Sequence, residues 1–547
     1  MVSAGAASAA ILAACGSDDG GTSGGPQTQT EAGSTAKAEG TFSKQEGTPV
    51  AGGTYRFPLA GSANFNPFVN YTEGASLGGI FVYDRPLSSR EDTRRYVLEA
   101  MESIELKDPL TLVMKLRPGL VYQNLAPVNG RAVEASDIVA GQEYNKVTPN
   151  AFDKTFVNSY LDRAEAVDKS TVIYHLKRPA AYLFGGQLLG SGTGQPIVPK
   201  ETLDNLNEGL QVGSGMFMVD QQRRDVVYTY KQNPTYWGRK EKTAVPYVNG
   251  VEVTFVADKS AQEAGFYGDK FDFFAPSPAQ MRTAKTRLPN AQFFSQAGFN
   301  TCNFSVNMWK ERALPWQDIR VRQALWLLTD TNELLTRGYE GAGELPTGLL
   351  PVSLKPYQVD KKDSDAYRKV DVAEAKKLLA AANWNESKEW GIMGRGYGDI
   401  IESVALVQQA NLARGGVKTT IQPIQGSEFF ARLTAKDWDM MFETPPGDDV
   451  PGRQIRVQHS ASWSDQYRGF ALFDPELDAL IEKSESETDY ETNRKLVVDI
   501  QKLAMSKYTS AMTAVSHYTL FILGPKVQNY ELSMVPTLPR PGMWLKT

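Results

Sequence analysis

Three histidines, His175, His459 and His517, two cysteines, Cys15 and Cys302, and one adjacent acid pair, Asp448 and Asp449, are the residues of this 547-residue chain best suited to chemistry. No histidine has a second His or Cys at the spacing a metal requires, so each reads as an ordinary polar or core residue. The zinc-protease pair of histidines, the Gly-Lys phosphate loop and the Cys-x-x-Cys pair are all absent from the sequence. GRGYG (394–398) and GSGTG (190–194) lack the glycine spacing of a dinucleotide site and read as turns. A hydrolase would need two separated carboxylates, but Asp448 and Asp449 are neighbours and SESETDYE (484–491) reads as a solvated helix start. A hydrolase is therefore an alternative with no carboxylate spacing behind it, and the chain reads as a non-enzyme without metal or cofactor.

The two cysteines are too few for a disulfide framework. Cys15 ends the run LAAC (12–15), which resembles the lipobox at which a thiol receives lipid, and GSDDGGTSGG resembles the tether that follows one. Residues 1–14 then form an export signal and the mature chain begins at Cys15; with no Lys or Arg and a short apolar part, either the start codon is misplaced or the signal is incomplete here. Residues 15–48 hold few large apolar side chains to offset the entropy of ordering and are expected to stay unfolded.

The elements that position everything else follow from periodicity. A length of 547 residues with 41% hydrophobic content implies more than one core. A net charge of −5 gives no basic field for nucleic acid, and no apolar run beyond residue 20 is long enough to span a membrane. Tyr55, Phe57 and Leu59 alternate with Thr54, Arg56 and Pro58, and similar strand patterns recur at 110–116, 171–177, 225–232 and 251–257. Helical spacing takes over at 318–335, 371–383, 474–484 and 488–505, mixed with strands at 417–424 and 438–444. Asp371 with Glu374 and Thr488 with Glu491 have the spacing of capping boxes, and Asp474 before Pro475 marks another helix start. Arg320 and Arg322 fall in a first helical turn, where the helix dipole disfavours cations, so a structural carboxylate is expected beside them. The interleaving indicates α/β lobes.

Several segments, in order, resemble the extracellular solute-binding proteins of family 5, the peptide-type binding components of ABC importers. They are LVMKLRPGLVYQNLAPVNGRAVEASDIVAG (112–141), GSGMFMVDQQRRDVVYTYKQNPTYWG (213–238) and NFSVNMWKERALPWQDIRVRQALWLLTD (303–330). Within the second, NPTYWG reads as a turn pinned by Asn233 with aromatic anchors packed behind it.

The resemblance implies a periplasmic-binding-protein-like type II clamp of two α/β lobes, the first enlarged by an extra subdomain at about 79–211. Lobe I would comprise 49–302 plus 518–547 and lobe II 303–517, with crossings near 302–307 and 516–525. It further implies a monomer outside the cytoplasm, held to the membrane only by its lipid. Such a protein would close on a small-molecule or short-peptide ligand and pass it to ABC importer permease subunits, with no nucleic acid as partner. A sensory or interaction lipoprotein using the same clamp is the alternative. By position, Glu73, Gly74 and Ala75 would lie along an extended ligand, and Asn303, Arg395 and Tyr397 would face the cleft. Asp448 matches the acid that holds a peptide's amino group in the family. The aromatic residue expected before it is missing, with Glu443 and Pro445 in its neighbourhood, which leaves peptides, opine-like compounds, amino sugars and other amphipathic solutes open.

Overall fold

The structure is a computed structural model that describes residues 36–37, 48–60, 66–69, 81–90, 95–149, 151, 153–184, 195–239, 247–297, 300–395, 399–424, 426–444, 450–462, 465–530 and 542–546. The first sheet grows from the alternating strand Thr54–Leu59, in which Tyr55, Phe57 and Leu59 are buried. It runs parallel to Gly250–Phe255, which pairs with Val227–Gln232 and then Phe217–Arg223. Arg56 and Asp272, 216 residues apart, tie this sheet to the next part of the chain through two side-chain hydrogen bonds of 3.0 and 3.2 Å.

The Gly-Ser-Gly at 213–215 exists because two backbones touch there. A Cβ on Gly213 would stand 2.0 Å from the Val82 carbonyl oxygen, and one on Gly215 would stand 2.7 Å from that of Phe81. Asn233 closes the nearby turn as its sequence suggests: its amide donates to the Gly215 carbonyl at 2.8 Å, and its Oδ1 accepts from the Thr235 backbone N–H at 3.0 Å. Behind that turn Trp237 is buried, with Arg117 over its ring and its Nε1 donating to Asp84 at 3.2 Å. Burial, and the nearby Glu99 carboxylate, push the Asp84 carboxyl up to about 7.

A second sheet orders Met101–Asp108, Thr111–Leu116, Thr171–Leu176 and Leu161–Ala166 as antiparallel neighbours, packed against helix Ala135–Val147. At its edge Ala36–Lys37 pairs with Ser103 and Ile104, so part of the segment expected to be unfolded forms a short strand. Edge pairing asks only for backbone groups, which a polar sequence supplies as well as an apolar one.

The third sheet is the largest, with eight strands. Its centre is the 13-residue strand Ala511–Leu523, which pairs through its first half with Cys302–Val306 and through its second half with Phe273–Phe274 and Gln292–Ala297. Beyond Cys302–Val306 come Met440–Glu443, Glu389–Arg395 and Lys418–Ile424, these three parallel to one another.

Helix starts follow local chemistry with two corrections. Asp371 and Asp474 cap their helices, but Asp489, not Thr488, caps Tyr490–Ser506 by accepting from the Thr492 N–H at 2.8 Å. The 318–335 stretch is not one helix: Ile319–Leu328 ends at Thr329 and Asp330 caps a new turn. Arg320 is matched by Asp318, at 2.6 Å. Arg322 has no such carboxylate hydrogen bond; its buried guanidinium donates to the carbonyls of Trp316, Gln317, Lys507 and Tyr508 at 2.8–3.1 Å. Trp316 and Gln317 close a short 3-10 turn and Lys507 caps the end of Tyr490–Ser506, and carbonyl oxygens at helix ends carry partial negative charge that suits a cation.

The histidines serve local packing. His175 lies 3.1 Å from Glu165, His459 lies 3.3 Å from Glu482, and His517 stacks on Tyr339 with ring centroids 5.5 Å apart. No described helix is long and apolar enough to cross a membrane.

Candidate functional site

Three parallel strands that end together leave their last side chains at one edge of a sheet, which is where open α/β sheets gather ligand-contacting groups. In the eight-stranded sheet that edge holds the ends of Glu389–Arg395 and Met440–Glu443, the start of Cys302–Val306, and the stretch of Ala511–Leu523 that crosses from one set of strands to the other. Asn303 pairs in register with Glu443 on one side and Thr513 on the other, and Arg395 lies one residue past the Gly394–Phe442 pairing. The backbone therefore brings Asn303, Arg395 and Glu443 to one place. Glu73, Gly74, Ala75, Tyr397, Pro445, Asp448 and Cys15 lie outside the described residues.

Strand alternation assigns the faces. Cys302, Phe304, Val306, Met440, Phe442, Met512 and Ala514 enter one apolar core, while Met393, Met441 and Ala511 enter another. On the second face the sequence interrupts the apolar pattern with Asn303, Ser305, Glu443 and Thr513, all buried. Asn303 Oδ1, Ser305 Oγ and Glu443 Oε1 have no hydrogen-bond partner within the protein. Such groups are costly to bury and stand out against the usual satisfaction of interior polar atoms.

A small cavity opens on this row. Thr301, Asn303, Gln454, Gln458, Ala511 and Thr513 line it, and it leaves room for the centre of about one water molecule, ≈ 10 Å³. The helix Gly452–Arg456, which follows the end of Met440–Glu443, supplies Gln454. Burial pushes the Glu443 carboxyl up to about 8, partly offset by a hydrogen bond from Asn303. At neutral pH the group is a neutral acid that can donate as well as accept. Burial likewise pushes the Cys302 thiol, beside Tyr339, up to about 12. Among the described residues no group of three His, Cys, Asp or Glu side chains could hold a metal.

Thr301, Ser305, Gln454, Gln458 and Thr513 were not among the candidates from sequence. The signal for the first two is present: Thr301, Asn303, Ser305 and Asn307 alternate with Cys302, Phe304 and Val306, a polar face on a strand whose other face is a core.

Residues 96–459 match the family of bacterial extracellular solute-binding proteins, family 5 Middle, and the chain belongs to that family. A probable di/tripeptide-binding protein 5 of Pseudomonas aeruginosa is 25% identical over 452 residues, covering 78% of this chain and 82% of that protein. The oligopeptide-binding protein AppA of Bacillus subtilis, solved with a nonapeptide, superposes with a TM-score of 0.80 at 18% identity, covering 91% of this chain and all (100%) of AppA. AgaA of A. tumefaciens R10, solved with agropinic acid, superposes with a TM-score of 0.77 at 18% identity over 90% of this chain and 99% of AgaA. The fold is the two-lobed α/β clamp of type II binding proteins, as the family resemblance implies.

Proposed function

We propose that this chain is the extracytoplasmic binding component of an ABC importer, closing on a peptide-like or other small amphipathic solute, delivering it to the permease subunits and catalysing no reaction. Lobe I comprises 49–302 and 518–547, with the extra subdomain at about 79–211, and lobe II comprises 303–517. Residues 1–14 serve export, 15–48 form the tether, and Cys15 carries the lipid that holds a monomer at the membrane. The observation that carries the reading is the row of unpartnered polar atoms on Asn303, Ser305 and Glu443, at the edge where the strand Ala511–Leu523 passes from one set of strands to the other. A solute bridging two lobes stabilises only the closed form, so capture and closure are one equilibrium.

Glu443 and Asn303 supply hydrogen bonds to the solute at the lobe II strand ends, with Arg395, Tyr397, Pro445 and Asp448 contributing from the same edge and its continuation. Glu73, Gly74 and Ala75 contribute from lobe I. The di/tripeptide-binding relative supports a peptide-like ligand, and AgaA, holding agropinic acid on the same fold, supports keeping opine-like compounds in the set.

A thermal-shift screen of the purified protein against di- and tripeptides, opines and amino sugars tests this. A true ligand at a hundred times its dissociation constant stabilises by about 2.7 kcal/mol. Asp448→Ala should abolish the shift and Asp449→Ala should keep it. Turnover of a bound compound, or no stabilisation by any class, would overturn the reading.

A further inference from the structure

Two clusters of buried charge join residues 153–182 to residues 453–493. In the first, Arg453 Nη2 meets Asp153 Oδ1 at 2.5 Å, and Asp153 also accepts from Gln195 at 3.2 Å. In the second, the Glu485 carboxylate accepts from the Tyr160 hydroxyl at 2.8 Å, from Arg456 at 2.5 Å and from Arg178 at 3.5 Å. Arg178 also lies over the Tyr160 ring, 4.4 Å from its centroid. The backbone joins in: the Ala181 N–H donates to the Glu485 carbonyl oxygen at 2.8 Å, and Tyr182 donates to Asn493 at 3.2 Å. Asp153, Tyr160, Arg453, Arg456 and Glu485 are all buried.

We propose that these contacts form a latch that holds the clamp shut from a site the solute does not touch, by gripping the short helix next to the solute site. The proposal rests on the lobe division given above, which puts Asp153, Tyr160, Arg178, Ala181 and Tyr182 in the extra subdomain of lobe I and Arg453, Arg456, Glu485 and Asn493 in lobe II. Helix Gly452–Arg456 faces both ways: Gln454 lines the cavity at Asn303, while Arg453 and Arg456 reach the two acids of the latch. A shift of this helix on solute binding changes the latch, and a tighter latch holds the cavity wall in place.

Parting the lobes would strip Glu485 of Tyr160 and Arg178 and leave it Arg456, and it would take Arg453 from Asp153. Each acid regains water on opening, so no single contact decides the equilibrium. Several contacts together bias it, and an element biased by two separate sites couples them.

Hydrogen exchange of the unliganded full chain tests the latch, because the Ala181 amide is itself one of its bonds. The variants are Asp153→Asn and Glu485→Gln, which keep the shapes of the side chains; Asp153 makes no side-chain capping bond to the helix at Lys154–Tyr160, so the first change takes none away. Segment 180–183 should be protected in the wild type, and exchange should speed up tenfold or more in the double variant. The amides of Met440–Glu443 should keep their protection and so report an intact fold. Exchange of 180–183 at the rate of a free loop in the wild type, or unchanged exchange in a double variant that remains folded, would overturn the proposal. No solute is present in the experiment, so its failure would leave the import reading standing.

Discussion

Asn303 and Glu443 face each other in register across two antiparallel strands, 5% and 4% exposed, and each keeps one side-chain oxygen without a partner in the protein. An interior strand pair normally places apolar or fully satisfied side chains at such a position. The arrangement makes this part of the sheet sensitive to pH.

The Glu443 carboxyl stands at about 8 in the folded chain against an ordinary 4.5. Between about pH 5 and pH 8 the folded chain therefore holds a proton that the unfolded chain has released, so this group's contribution to stability falls as pH rises through that window and levels off above it. Glu443→Gln should remove that slope, by up to ~1.4 kcal/mol per pH unit, and gain relative to the wild type as pH rises. Urea unfolding of both proteins across the window checks it; parallel pH profiles would show that Glu443 is not the titrating group.

Arg322 holds four carbonyl oxygens from two separate stretches of chain. Arg322→Met should cost ~3 kcal/mol, because those carbonyls lose their donors in a buried place. Arg322→Lys should recover only part of it, since one ammonium lacks the planar fork. Arg320→Ala, at an exposed position, should leave the urea midpoint nearly unchanged.

Gly213→Ala would drive a methyl group into the Val82 carbonyl, at 2.0 Å. The expected loss is ~3 kcal/mol or more, seen as a lower thermal midpoint. Gly119, with φ of +75° and nothing within 4 Å of a Cβ, should lose only ~1–2 kcal/mol from backbone strain in Gly119→Ala.

Cys302 is buried, and its thiol is pushed up to about 12. Thiolate is the reactive form, so a thiol reagent should modify Cys302 only as fast as the protein unfolds. Rapid labelling in native buffer, followed by mapping of the modified peptide, would contradict this.

The strands and most helix starts were legible because their causes are local. Tyr55, Phe57 and Leu59 declare a strand by alternation, and Asp474 before Pro475 declares a helix by capping. Asp489 was missed in favour of Thr488 because two adjacent capping residues offer the backbone nearly equal partners, and only the entering chain direction selects one. The four acceptors of Arg322 were not legible, since two of them come from residues 507 and 508. Of this strand edge, the family resemblance points to Asn303, Arg395 and Glu443, whereas Gln454 and Gln458 join them through a segment packed at the cavity and Thr513 through a strand some two hundred residues away in sequence.

The strand Ala511–Leu523 lies some two hundred residues beyond Gln292–Ala297 and Cys302–Val306, yet it is the rib on which the largest sheet hangs. Without it, Cys302–Val306 and Gln292–Ala297 each lack a neighbour, and no stretch ending earlier can complete that sheet. Such a sheet cannot close piecemeal: strands some two hundred residues apart along the chain have to meet on one rib before either is fully paired.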